Sequence, residues 1–260
     1  MTKTTNVTSI LRAIHIMQSI SKGNGKISQI ATEVNLTKGT THRLLATLVK
    51  ARFMVQDPIS LEYSLGPALL ELASNPIVTH TNLVNCALEQ MKYLRDLTDE
   101  TVVLHVRSGL ERVCIACIES AQVIRYTNAV GFVAPLYLGG AGKILLAEQK
   151  DHDLSLIIDN MHLIPITPHT ITDRVKLMEE IGKVREQGYA SSFGERIEGS
   201  ASISVAVKNY IVPAALSVYG PLSRFNFEGI SNLVDQMKAA SKKISKKLKA
   251  QMKDLKSANL

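Results

Sequence analysis

The order of apolar patterns in residues 9–66 constrains this chain most. Residues 9–20, SILRAIHIMQSI, repeat at helical spacing, with Ile10, Ala13, Ile14, Met17 and Ile20 on one face. Thr8 or Ser9 is placed to cap that helix. The loop signal SKGNGK follows, and ISQIATEVN reads as a short helix with Ile27, Ile30, Ala31 and Val34 inward. A tight break at Asn35-Leu36-Thr37 leads into a third helix from Lys38 to Ala51, with Leu44, Leu45, Leu48 and Val49 as its core face. FMVQDPISLEYSL then predicts two short strands, 53–56 and 61–65, around the turn residues Asp57-Pro58-Ile59-Ser60. Gly66-Pro67 closes the hairpin, and ALLELAS begins another helix.

Helix, helix, tight turn, helix, hairpin is the order of a winged helix-turn-helix that reads duplex DNA. Such a unit needs a third helix with one face free. Lys38, Thr40, Thr41, His42, Arg43 and Lys50 are expected on that face. Thr37 can cap the helix and aim its first N–H groups at a phosphate. Lys and Arg neutralise phosphates, whereas Thr and His reach base edges and methyls. Lys22 and Lys26 in the first loop, and Arg12, are candidates for backbone contacts. Taken singly, each of these charges is as readily a solvated helix face; the ordered set favours a double-stranded DNA operator. The hairpin carries Asp57 and Glu62 and no Lys or Arg, so it is expected to add shape more than affinity. The formal net charge of +7 suits an anionic partner without deciding which.

The 260 residues leave room for a second domain. A hydrophobic fraction of 45% with 20% charged residues is that of an ordinary globular protein. Asn75-Pro76 marks the boundary, because the residue before proline is pushed out of helical conformation. We expect a head over 1–75, a linker helix over 76–98 and a second domain over 99–260. That domain reads as α/β, which makes the chain α+β as a whole. Strand-like runs lie at 101–107, 111–119 and 122–127. A Gly/Pro-rich stretch, 131–142, precedes the helix KILLAEQ, with further helices at 151–160 and 171–187. Strands return at 188–193, 200–207 and 213–219, and a helix over 227–255 ends the chain. No apolar run reaches the roughly 18 residues of a membrane span. The start carries no secretory pattern, so a cytoplasmic location is expected, without membrane partners.

In SASISVAV, alternation puts Ser200, Ser202 and Ser204 on one strand face. In PAALSVYG, Ala215, Ser217 and Tyr219 share a face. Two neighbouring strands presenting hydroxyls inward would line a polar pocket. Gly139-Gly140-Ala141-Gly142 before a helix lets backbone N–H groups approach an anion, so a carboxylate is the natural guest. The alternative is an ordinary one-sided sheet whose serines face solvent.

LTKGTTHRLLATLVKARFM followed by SLEYSLGPALLELA resembles the DNA-binding half of the IclR family of bacterial regulators. Thr40, Arg43, Leu44, Leu45, Leu48, Tyr63, Leu65 and Gly66 carry the likeness. Two positions depart from the family pattern. Gly39 stands where Ser is usual, and Arg52 stands where Gly usually closes the helix. The resemblance continues through GFVAPLYLGGAGKILLA and GYASSFGERIEGSASISVAV to PAALSVYGPLSRF. It implies a winged helix-turn-helix followed by a GAF-like effector-binding domain. It also implies a homodimer or homotetramer and a small-molecule effector, an organic acid by the glycine-rich helix start. The implied effector residues are Gly140, Ala141, Ser192, Ser202, Ser217 and Tyr219.

Other signals fall away. Gly139 to Lys143 is no P-loop, since Tyr137 and Ile144 stand where Gly and Ser or Thr are required. Cys114-Ile115-Ala116-Cys117 is a lone C-x-x-C, and on a regular strand its thiols point to opposite faces. No catalytic constellation, metal site or cofactor motif is found, and Glu195 and Glu198 pair with no evident base. Eight lysines between 238 and 256 read as the solvated face of a packed helix, with a basic surface helix as the sharper option. Two rivals to a regulator remain: an enzyme acting on a small acid, and a sensor that has lost DNA binding.

Overall fold

The computed structural model describes residues 7–73, 80–225 and 227–258, with side chains for 7–73, 80–225 and 230–251. The chain divides into two compact units, Met1–Thr79 and His80–Leu260. The expected boundary at Asn75-Pro76 lies outside the described residues.

The first unit runs α1 (Thr8–Ser21), α2 (Ile27–Glu33), α3 (Lys38–Lys50), β1 (Met54–Gln56), β2 (Tyr63–Leu65) and α4 (Pro67–Ala73). Ile16, Ile20, Ile30, Leu45, Leu48, Met54 and Tyr63 form its core. The inward face of α1 is Ala13, Ile16, Met17 and Ile20. Ile10 and Ile14, expected inside, are exposed. Apolar residues at 10, 11, 13, 14, 16, 17 and 20 offer two overlapping stripes. Packing against α3 selects the later one. Val7, not Thr8 or Ser9, occupies the N-cap of α1, and no side chain caps it.

The second unit is built on a six-stranded sheet in the order β5-β4-β3-β8-β7-β6. The strands are β3 (Thr101–Ser108), β4 (Glu111–Ile118), β5 (Val133–Pro135), β6 (Ala190–Phe193), β7 (Ser200–Val207) and β8 (Ala214–Pro221). Every neighbouring pair is antiparallel. The helices are α5 (Thr81–Thr98), α6 (Gly139–Ala147), α7 (Asp151–Asp159), α8 (Arg174–Gln187) and α9 (Phe227–Ala258). One sheet face is covered by α5 and α9, through Leu83, Met91, Leu94, Val234, Met237 and Ile244 against Val102, Leu104, Val205 and Leu216. The other face meets α6, α7 and α8. The described lysines of α9 lie off its packed stripe; Lys247 pairs with Glu89 at 2.7 Å.

Three strand expectations change. Residues 122–127 form no strand but an irregular loop, tied down where the Thr101 hydroxyl donates to the Tyr126 carbonyl at 2.6 Å. The short β5 emerges instead inside the Gly/Pro-rich stretch. In β4 the pairing shifts register between Leu104, opposite Ala116, and His105, opposite Cys114. This bulge leaves Ile115 over and reverses the alternation beyond it. Cys114 and Cys117 therefore share the face that packs on Val103, Tyr126 and Tyr219, contrary to the opposite faces expected of a regular strand. Burial pushes the Cys114 thiol up to about 12, which leaves it an inert core group.

Candidate nucleic-acid interface and ligand site

The start of α3 is built by Thr37. Its Oγ1 accepts the Thr40 N–H at 3.2 Å and closes the helix N-terminus. Lys38, His42, Arg43 and Lys50 are exposed on this helix, and Thr40 is half-buried. Arg43 and Lys50 are two turns apart and lie on one stripe. Gly39 faces open space, with nothing within 4 Å of a would-be side chain. Thr41 departs from expectation: it is fully buried, and its hydroxyl donates to the Thr37 carbonyl at 3.0 Å. It is thereby a brace of the helix start and cannot reach a base. Arg12 and Lys26 are exposed, as is Lys22. Lys22 is held by Glu33 at 2.9 Å, and Lys26 lies 3.7 Å from Glu62 of the hairpin.

The hairpin is locked to the exit of α3. Arg52 adopts a left-handed φ of +64°, and the Phe53 N–H returns to the Leu48 carbonyl at 2.9 Å. The glycine-type turn is thus retained with an arginine in it. Gly66 passes against this turn so closely that any Cβ there would overlap the Arg52 carbonyl oxygen. At the hairpin tip, Asp57 Oδ1 accepts from the backbone of Ile59 at 3.0 Å and of Ser60 at 2.7 Å. These bonds hold the Asp57 carboxyl below its ordinary range.

In the second unit, Ser202 and Ser204 of β7 and Ser217 and Tyr219 of β8 are all buried. Ser202 and Ser204 face α6, and none of the four faces solvent, contrary to the alternative of solvent-facing serines. Ser204 and Ser217 hydroxyls meet at 2.8 Å. A Cβ on Gly140 would fall 3.1 Å from Ser202 Oγ and 2.9 Å from Ser204 Oγ. The start of α6 thus lies directly on the serine row, with Ala141 buried behind it. Ser192 joins from β6, with its Oγ 3.8 Å from a would-be Cβ at Gly139. Gly140, Ala141, Ser192 and Ser202 therefore meet at one helix start, with Ser217 bonded behind Ser204, whereas Tyr219 packs with Val103, Cys114 and Tyr126. Glu195 holds that start: one oxygen accepts the Gly139 N–H at 3.2 Å, and the other meets Lys143 Nζ at 2.7 Å. The pairing of Glu195 with a base was not legible in the sequence.

Further polar groups on this face went unread. His105 and Arg112 are fully buried on β3 and β4, and Asn128 is buried in the loop after β4. Arg112 Nη1 donates to His105 Nε2 at 3.3 Å, and Asn128 Nδ2 lies at the same distance from that nitrogen. A guanidinium only donates, so the imidazole proton sits on Nδ1. Burial, then the charges of Arg112 and Arg196, hold His105 well below its ordinary value, which keeps it neutral. The Tyr126 ring stacks on Tyr219 at 4.5 Å between centroids, and Arg196 lies over Tyr126 at 5.5 Å. Burial pushes the Tyr219 phenol up to about 12. A polar residue at the inward parity of an otherwise apolar strand, as in VVLHV and ERVCI, was the available signal. A separate cavity of about 570 Å³ lies between the end of α5 and the start of α9, beside the Glu100–Arg224 ion pair. None of these groups lines it.

Comparison with known proteins matches this geometry. Residues 9–58 fit the IclR helix-turn-helix domain, and residues 76–246 fit the bacterial transcriptional regulator IclR C-terminal domain. The chain belongs to the IclR family. It is 31% identical over 243 residues to the HTH-type transcriptional regulator KdgR of Escherichia coli, covering 92% of each chain. Among solved structures, the Thermotoga maritima IclR aligns over 94% of this chain and 99% of its own at 27% identity, with a TM-score of 0.77. An IclR homolog from Microbacterium hydrocarbonoxydans, complexed with 4-hydroxybenzoate, shares the fold at a TM-score of 0.76 and 22% identity, over 93% of this chain and 99% of its own. An IclR-type chain is a DNA-binding transcriptional regulator, so the first unit is its DNA-binding head.

Proposed function

We propose that this regulator reads its operator through Lys38, Thr40, His42, Arg43 and Lys50, with Lys26 and Arg12 on the phosphate backbone. The capped start of α3 with Arg43 and Lys50 on one open stripe is the observation that carries this reading. The head spans residues 1–75, residues 76–98 lead into the second domain, and residues 99–260 bind a small organic acid. That acid sits at Gly140, Ala141, Ser192, Ser202, Ser217 and Tyr219. The protein acts in the cytoplasm as a homodimer, or a dimer of dimers, on an operator with two half-sites. The acid switches DNA binding only through a difference in affinity for two arrangements of the heads.

The test is DNA binding by the full chain to its own upstream intergenic DNA across a salt series. Arg43→Ala is expected to weaken binding and to reduce the slope of log affinity against log salt by about one unit. An unchanged slope would remove Arg43 from the interface. Ser202→Leu is expected to abolish the response to acid while leaving DNA affinity intact. A retained response would place the acid elsewhere.

A further inference from the structure

The long helix α9 carries charge of one sign. From Gln236 to Lys253 the sequence holds lysines at 238, 242, 243, 246, 247, 249 and 253, and no Asp or Glu. The six from Lys238 to Lys249 are exposed. At 3.6 residues per turn, Lys238, Lys242, Lys246 and Lys249 fall within an arc of about 80° and form one stripe. Lys242, Lys246 and Lys249 make no ion pair among the described residues. Lys238 donates to the Gln187 carbonyl at 2.7 Å, a bond that leaves its charge unmatched. Beside the stripe, between α8 and α9, a cleft of about 490 Å³ is lined by Lys238, Lys242, Lys208 and Arg185. Its one carboxylate among the described residues is Glu148.

A helix face that only has to be wet gains by alternating signs, because like charges three or four residues apart destabilise a helix. Lys238–Lys242, Lys242–Lys246 and Lys246–Lys249 are all pairs of that kind. The helix dipole does not offset them, since it acts within the last turn and α9 runs on to Ala258. The stripe thus holds a repulsion that a bound polyanion relieves.

We infer that this stripe is a second contact surface for duplex DNA, indifferent to sequence and separate from the operator-reading helix α3. Lys238 to Lys249 spans about 16 Å, a length over which one DNA strand carries about five phosphates. Each lysine that meets a phosphate releases a counterion from the duplex. A membrane is disfavoured, because an interfacial helix must bury an apolar face in lipid. The apolar stripe of α9, with Val234, Met237, Ile244 and Leu248, is already packed in the core. Duplex DNA is also the polyanion that a transcriptional regulator of this family meets, which favours it over an acidic protein segment.

Binding of the full chain to a duplex of random sequence, followed by fluorescence anisotropy across a salt series, tests this. The triple variant Lys242→Gln, Lys246→Gln, Lys249→Gln is expected to weaken binding about 10-fold or more. It should lower the slope of log affinity against log salt by about two to three units. Its three side chains are exposed and form no ion pair, so the fold is expected to hold. The triple change Lys242→Arg, Lys246→Arg, Lys249→Arg keeps the charge and is expected to keep both affinity and slope. The same loss is expected on the upstream intergenic DNA, because phosphates carry no sequence. An Arg43→Ala variant without effect would count against α3 and leave this surface standing. Unchanged affinity and slope in the Gln variant would overturn the surface, and so would a loss that the Arg variant shares. Binding to phosphatidylglycerol vesicles or poly-L-glutamate that the Gln variant loses, with DNA binding intact, would overturn DNA as the partner.

Discussion

Lys143 and Glu195 form an ion pair at 2.7 Å in which both side chains are out of solvent, and the second Glu195 oxygen takes the Gly139 N–H at 3.2 Å. The pair ties the start of α6 to the turn after β6. Removing one member strands the other charge in a poor solvent, although Glu180 also reaches Lys143 at 3.2 Å. Lys143→Met is expected to destabilise the second unit by about 3–5 kcal/mol. The double change Lys143→Met with Glu195→Leu should recover much of that loss, as read by denaturant unfolding. A double variant no better than the single would show that the residues matter by packing and not by charge.

Gly66 has no freedom to be anything larger. Alanine there would collide with the Arg52 carbonyl and come within 2.8 Å of the Met54 nitrogen. Both are backbone atoms and cannot swing away. Gly66→Ala is expected to cost about 3 kcal/mol or more and to separate the hairpin from α3. A thermal melt of the first unit, followed together with DNA affinity, checks this.

Arg52 offers the opposite change. A left-handed φ of +64° costs a residue with a Cβ roughly 1 kcal/mol that glycine avoids, partly offset by the entropy glycine loses on folding. The exposed Arg52–Glu71 pair adds little. Arg52→Gly should therefore leave the first unit as stable or up to about 1 kcal/mol more stable. A clear loss would mean that the guanidinium does more than close the turn.

His105 makes stability depend on pH. Its folded value lies well below 6.5, whereas the unfolded imidazole titrates near 6.5. As pH falls below about 6.5 the unfolded chain takes up a proton that the folded chain refuses, so stability declines, by at most about 1.4 kcal/mol per pH unit. The decline ends where the folded imidazole itself titrates. The unfolding midpoint of the second unit should drop between about pH 7 and 5. His105→Gln should drop less; an equal drop assigns the effect to other groups.

The head was legible because its information is periodic. Leu45, Leu48, Ile30 and the Thr37 cap follow from spacing alone. Ile16 was missed because two apolar stripes overlap on α1, and only the packed neighbour chooses between them. Thr41 was misplaced for a related reason: threonine is at home on either side, and its bond to Thr37 is invisible before the helix start is built. In the second unit, Ser202, Ser217 and Tyr219 were readable from alternation. Cys117 was not, since one bulge residue reverses parity beyond it. Arg112 lay in plain view within ERVCI. What marks it is that it forms no ion pair among the described residues, and that depends on which distant strands become neighbours.

The tip of the hairpin has a separate consequence. Its feet are fixed by Gly66 and by the Tyr63 N–H on the Gly25 carbonyl at 2.8 Å, while residues 57–60 are held by local bonds of Asp57 and Ser60 within the tip. Inheritance can therefore vary these few residues while α3 and its footing stay constant. Sequence change at the tip need not disturb the fold of the helix on which the proposed operator reading rests.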